Sequence, residues 1–259
     1  MLHALVYVGL LLAATVAGAI NAVAGGGSLI SFPALIWAGY AAKTANVTNT
    51  VALWPGTVGG SFGYREELLR QRTRVLALLP FAAAGGLLGS VVLLATPTSA
   101  FDAIVPFLIL FACGLLAVQT PLSRFAQTHR LVSESTEHVP ALLRFAVFVL
   151  AIYGGYFGAG LGIMMLAVLS VLLPDDIQHS NALKGLLALI INAVAVIYFI
   201  IASIVGTGYI RWGPAGLMAL GAITGGYLGV GVARRLGRTW LKVAVITYGL
   251  VVVGVLLAS

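Results

Sequence analysis

Apolar stretches separated by short polar breaks fill this chain, at roughly 4–23, 28–40, 44–64, 75–95, 100–120, 141–157, 161–173, 181–205, 213–233 and 239–258. A helix needs about 20 apolar residues to cross the ~30 Å hydrocarbon core of a bilayer. Six stretches reach full spanning length beside a polar or charged break. Charged residues make up 8% of the chain, against about 25% in a soluble domain, which is too few to cover a water-facing surface. The chain is therefore read as an integral membrane protein. A soluble enzyme, a secreted disulfide scaffold and a disordered linker are excluded.

The first twenty-odd residues resemble a signal peptide ending near Ala17-Gly18-Ala19, but His3 is the one candidate for a positive n-region. The segment from Asn21 onward also has a partner later in the chain, so 4–23 reads as the first membrane helix. The lone cysteine, Cys113, lies in an apolar run and reads as a buried small hydrophobe. His3, His129, His138 and His179 show no i, i+4 pairing, so neither metal nor other cofactor is expected. The net charge of +7 comes without a basic stripe interleaved with aromatics, which argues against nucleic acid as a partner and for the lipid bilayer.

The pieces 28–40 and 161–173 have about 13 residues, roughly 20 Å as helix, too short to cross. Each follows a glycine cluster, Gly25-Gly26-Gly27 and Gly158-Ala159-Gly160-Leu161-Gly162. Asn46-Val47-Thr48-Asn49 follows the first piece and Ser180-Asn181-Ala182-Leu183-Lys184 the second. Gly85-Gly86-Leu87-Leu88-Gly89 parallels Gly225-Gly226-Tyr227-Leu228-Gly229. These matches lie 133 to 140 residues apart and in the same order. The chain reads as one membrane domain, 1–259, with repeat halves 1–120 and 141–259 joined by a polar loop at 121–140.

Positive charge orients the spans. If each glycine cluster turns the chain back, loops 65–74, 121–144 and 234–242 share a face carrying eleven Lys and Arg, with Lys43 and Arg211 opposite and Lys184 near a helix start. If each short piece instead crosses, giving eight spans, the cations divide less unevenly. The first arrangement makes the halves inverted repeats and places both termini outside the cytoplasm. The expected fold is all-α: a polytopic helix bundle of two inverted repeats, with six full spans and two glycine-broken helical hairpins, or seven to eight transmembrane helices.

Irregular backbone at membrane depth survives only where it is buried in protein or lines a cavity. The glycine clusters therefore predict exposed backbone amides, and the N-terminus of each returning helix favours an anion. Two such sites meeting near the midplane are the pattern of secondary transporters. Candidate contacts are Asn21, Gly25, Gly26, Gly27, Ser28, Asn46, Thr48, Asn49, Gly158, Gly160, Gly162, Ser180, Asn181 and Lys184. The structural alternatives are helix capping for Asn46 and Asn181, a bond from Thr48 to its own helix, and close packing for Gly221, Gly225 and Gly229. Lys184 lies inside an apolar run, where an ionisable group implies function unless it snorkels to the interface. No carboxylate lies within a span, so charge favours an anionic substrate.

Gly59-Gly60-Ser61-Phe62-Gly63 matches the G-x-S-x-G nucleophile pattern, but that pattern needs a strand–turn–helix. No histidine lies in a span core to serve it, so neither catalysis nor a catalytic residue is expected. The alternative to a transporter is an anion channel or a carrier of another small solute.

These residues resemble the sulfite exporter TauE/SafE family of membrane transporters. The resemblance rests on Gly18-Ala19-Ile20-Asn21-Ala22-Val23-Ala24-Gly25-Gly26-Gly27-Ser28-Leu29-Ile30 with Pro33, and on Ala45-Asn46-Val47-Thr48-Asn49 leading to Leu53-Trp54-Pro55-Gly56. It continues through Ser180–Lys184, Arg211-Trp212 and Gly221-Ala222-Ile223-Thr224-Gly225-Gly226-Tyr227-Leu228-Gly229, covering nearly the whole chain. It implies transport of a small sulfur-containing anion, such as sulfite, sulfoacetate or another organosulfonate, across the cytoplasmic (inner) membrane of a prokaryote. Two departures matter. Asn21 stands where an acidic residue is common, so a carboxylate role there, proton coupling included, does not carry over. The second cluster lacks the usual triple glycine and following proline, so its hairpin is expected to be less open.

Overall fold

A computed structural model describes residues 2–23, 25–62, 64–128, 139–173, 177–236 and 238–258. All their regular structure is helical: α1 (Leu2–Val23), α2 (Ser28–Trp37), α3 (Ala42–Phe62), α4 (Arg65–Arg70), α5 (Arg72–Ala95), α6 (Thr98–Thr128), α7 (Ala141–Tyr156), α8 (Leu161–Leu172), α9 (Ile177–Ala202), α10 (Trp212–Leu236) and α11 (Arg238–Ala258). A π-helical turn, Ser203–Thr207, follows α9. Among the described residues, four helices are long and apolar enough to span a bilayer: α1, α5, α6 and α9. α3 has full length but carries buried Asn46, Thr48 and Asn49, which lower its hydropathy.

Large apolar side chains face outward on several helices, including Leu5, Leu12, Phe107, Phe145, Ile197 and Leu220. A water-soluble monomer rarely exposes so much contiguous apolar surface. Lipid is the solvent that fits it, and the chain is a multi-pass membrane protein. Inside, α2, α6 and the second glycine break share a core built on Leu29, Phe32, Phe101, Ile109, Leu116 and Phe157.

Helix pairing repeats between the halves. α1 packs along α10 and α7 along α5; α3 packs on α10 and α9 on α5. Glycines set the closest approaches. A Cβ on Gly225 would overlap the Thr15 carbonyl, and one on Gly89 would overlap the Ile152 carbonyl. Small residues allow this backbone contact, which is how helices associate tightly where no hydrophobic effect drives them. The packing reading therefore holds for Gly221 and Gly225, while the side-chain environment at Gly229 lies outside the described residues. Gly85 faces Phe148 and Ala151, and Gly221 faces Leu11 and Ala14.

Three contacts order the helix ends. Gln71, between α4 and α5, donates from Nε2 to the His179 carbonyl at 2.9 Å, joining the start of α5 to the start of α9. α7 runs parallel to α5, since Gly85 lies by Phe148 and Gly89 by Ile152 and Tyr156. Thus α5, α7 and α9 begin at one end of the bundle. Arg211 N donates to Thr48 Oγ1 at 3.1 Å, joining the start of α10 to the start of α3. α1 runs parallel to α10, with Leu11 by Gly221 and Thr15 by Gly225. Thus α1, α3 and α10 begin at the other end, where α5 finishes. Each glycine break therefore returns the chain to the end from which the preceding helix started.

The polar breaks are more helical than the sequence predicts. α6 runs on to Thr128, α4 occupies most of 65–74, and α10 and α11 occupy nearly all of 234–242. Residues 129–138 of the expected loop lie outside the described residues. Glu66 and Glu67 in the first turn of α4, with Arg70 in its last, complement the helix dipole and let so short a polar piece form. Ser61 sits in the last turn of α3 rather than on a strand–turn–helix.

Candidate functional site

Both breaks are built by glycine in the left-handed region. Gly25 has φ 73°, and Gly160, which caps α8, has φ 81°. Asn21 Oδ1 accepts from Gly27 N at 2.8 Å, so this side chain stitches the first turn together. Gly25 N donates to the Ile20 carbonyl at 3.1 Å. In the second break, Phe157 N and Gly158 N share the Tyr153 carbonyl, at 2.9 and 3.1 Å. The Tyr153 hydroxyl donates to the Ala159 carbonyl at 2.6 Å and props the turn open.

The two breaks touch. A Cβ built on Gly25 would lie 3.6 Å from Gly162 Cα, and one built on Gly162 would lie 3.7 Å from Gly25 Cα and 3.9 Å from Lys184 Cδ. α6 backs both, with Leu116 against Gly26 and Leu115 and Ala112 against Gly160. Phe32 of α2 meets Phe157 edge to face at 5.4 Å. In this junction the N–H groups of Gly26, Ser28, Gly160 and Gly162 have no acceptor among the described residues. Buried amides are nearly always paired, and unpaired ones at helix starts are the donors that bind anions.

Side chains from α3 and α9 complete the junction. Asn46 Nδ2 donates to the Tyr156 carbonyl at 2.9 Å, covering the end of α7. One turn on, Asn49 is 3% exposed and its Oδ1 has no partner. Lys184 Nζ donates to Asn181 Oδ1 at 3.0 Å, three residues back on α9. Lys184 is partly buried, and its stem lies against Gly162 rather than along an outer face.

Neither asparagine caps a helix. α3 and α9 begin four residues earlier, at Ala42 and Ile177, so both asparagines sit in a second turn. Thr48 does not join the breaks or bond its own helix. Its hydroxyl donates to the Tyr209 carbonyl at 3.3 Å and accepts from Arg211 N. Ser180 lies beside His179 at the α5 end, fully buried with an unpaired Oγ. Three residues that sequence reasoning missed hold this region: Gln71, Tyr153 and Lys43. Lys43 is 2% exposed, and its Nζ donates to the carbonyls of Leu94 and Thr96, both at 2.7 Å. A lysine at the start of a span looks like an interfacial cation, and nothing local signals that it caps a helix fifty residues away.

The junction sets the amides of two helix starts beside the Lys184 side chain. The profile described as sulfite exporter TauE/SafE matches residues 10–257. The chain is 27% identical over 234 residues to a probable membrane transporter protein of Haemophilus influenzae, covering 89% of this chain and 86% of that one. It is 26% identical over 233 residues to the probable membrane transporter protein ORF9 of a Sinorhizobium species, covering 90% and 85%. No solved structure matches at a significant level. A profile match over nearly the full length places the chain among membrane transporters: it belongs to the sulfite exporter TauE/SafE family.

Proposed function

We propose that this protein is a secondary transporter that carries a small sulfur-containing anion across the cytoplasmic membrane by alternating access. Sulfite, sulfoacetate and other organosulfonates are the substrate class. The observation that carries the reading is the contact of Gly25 with Gly162 beside Lys184, next to helix-start amides that have no acceptor among the described residues. A sulfonate or sulfite group presents three acceptor oxygens, which suits several N–H donors and one ammonium at once. Asn49, buried with an unpaired Oδ1, and Asn181, which accepts from Lys184, would orient the bound group.

The halves act as inverted repeats with two re-entrant hairpins, α1–α2 and α7–α8. What supports this is the ordering of helix ends: α3 and α9 begin at opposite ends, and each break sends the chain back. The α5 end carries Arg65, Arg70, Arg72 and Arg74, so the positive-inside rule makes it cytoplasmic and puts both termini outside. Rocking one repeat against the other would open the junction alternately to each face.

Counterflow in proteoliposomes tests the substrate class. Vesicles preloaded with sulfite, thiosulfate or sulfoacetate should accumulate labelled sulfoacetate or sulfite against unlabelled anion. Accumulation driven by a cation or neutral solute instead would overturn the reading.

A further inference from the structure

We propose that the bodies that part during transport are two sets of helices, each drawn from both halves, and that Lys43 is the positioning residue that clamps them where α3 begins. The proposal rests on the alternating-access reading above and refines what rocks.

In one set α1 and α3 lie on α10; in the other α7 and α9 lie on α5. The sets meet along α3 and α9. One side of α3 reaches across that boundary at three levels. Lys43 Nζ donates to the carbonyls of Leu94 and Thr96 at the end of α5, both at 2.7 Å. Asn46 Nδ2 donates to the Tyr156 carbonyl at the end of α7 at 2.9 Å. Trp54 Nε1 donates to the Leu189 carbonyl within α9 at 3.3 Å. With 3.6 residues per turn, positions 43, 46 and 54 share one side of the helix.

Lys43 differs from the other two in carrying a charge, and it is 2% exposed. An ammonium buried so deeply is costly unless its hydrogens are taken up. The two carbonyls that take them lie where α5 ends and its dipole is negative. Nζ also lies 4.8 Å from the centre of the Tyr209 ring. Tyr209 is held in turn, because its carbonyl accepts from Thr48 Oγ1, which accepts from Arg211 N. One ammonium thus joins α3, the end of α5 and the link before α10. Trp54 holds α9 near the middle of α3, so rocking about that level would displace the first turn of α3 most. The Lys43 bonds are then the ones that must break, and water entering the gap would replace them.

Two measurements test the clamp, both in a Cys113→Ala background. The first keeps Lys43. Ala42→Cys and Thr96→Cys stand beside the clamp on the two sets, and a reversible bis-methanethiosulfonate should cross-link them. In proteoliposomes the linked protein should lose at least tenfold of its sulfoacetate counterflow and regain it on reduction. Undiminished counterflow after complete linking, or no cross-link at all, would overturn the proposal. The second reads the gap in lipid nanodiscs, which expose both ends to reagent. Val47, 1% exposed and one turn past Lys43, is replaced by cysteine and treated with a charged methanethiosulfonate. Lys43→Met, which keeps the stem and removes the donors, should raise the labelling rate at least tenfold; Lys43→Arg, which restores donors, should bring it back toward the parental rate. A lysine with a structural role alone would lower the melting temperature without this dependence on charge. Equal rates in folded Lys43→Met and Lys43→Arg would overturn the clamp, and if Lys43→Met does not fold the cross-link decides. Absence of counterflow before linking would sink the transport reading and leave the labelling to judge the clamp; counterflow that ignores the link would sink the clamp alone.

Discussion

Gly162→Ala separates folding from transport at the junction. Gly162 lies in the first turn of α8 with an ordinary helical backbone, and an added methyl would sit 3.7 Å from Gly25 Cα, 3.9 Å from Gly25 O and 3.9 Å from Lys184 Cδ. These are normal van der Waals contacts, so no clash opposes the change. Alanine is favoured over glycine in a helix by about 1 kcal/mol, so the variant should melt at the same temperature as the parent or slightly higher. An anion bound at the Gly162 amide would nevertheless meet the added methyl. Losing one hydrogen bond to a charged group costs about 1.5–3 kcal/mol, which corresponds to a ten- to hundredfold loss of affinity. Flux at subsaturating sulfoacetate in proteoliposomes, with detergent melting as the folding control, reads both effects. Parental flux in a normally folded Gly162→Ala protein would refute the placement of the substrate at this contact.

Gly27→Ala should behave oppositely. Its methyl would overlap the Ala17 carbonyl, and overpacking of this kind costs about 1–3 kcal/mol, visible as a lowered melting temperature whether or not substrate is present. Gly225→Ala should destabilise similarly through Thr15, and an unchanged melting curve would remove the close helix contact from the account. Asn46→Ala leaves the Tyr156 carbonyl buried without its donor, a loss of about 1–3 kcal/mol; a melt identical to the parent would show the bond to be idle. Cysteines at the exposed positions Leu69 and Gln178 should label from the cytoplasmic side and one at Ala41 from the outside. Labelling of positions 41 and 69 from one side would contradict the crossing of α3.

What the sequence disclosed was local. Glycine clusters beside truncated apolar pieces have one physical outlet in a membrane, a protein-lined break, and both breaks lie where the pattern puts them. Asn46, Asn49, Asn181 and Lys184 stand out in the sequence because polar side chains after such breaks are costly unless used. The residues that tie helix ends together were not legible. Thr48 and Tyr209 are 161 residues apart, and Gln71 and His179 are 108 apart, so their roles depend on which helix ends meet. The capping reading of Asn46 and Asn181 failed for a related reason. Short alanine-bearing or polar leads, from Ala42 and from Ile177, extend each helix by a turn once its end packs against a partner. The basic runs look like loops by charge, yet helix dipoles and neighbouring spans keep most of them helical.

Lys184 tests the central claim most directly, because the structure sets this cation against the meeting of the two breaks. Lys184→Gln keeps a stem and an amide donor able to reach Asn181 while removing the charge. Counterflow of labelled sulfoacetate or sulfite should fall by at least tenfold in this variant, with insertion and melting unchanged. Parental flux in the folded Lys184→Gln protein would contradict an anion site at the junction.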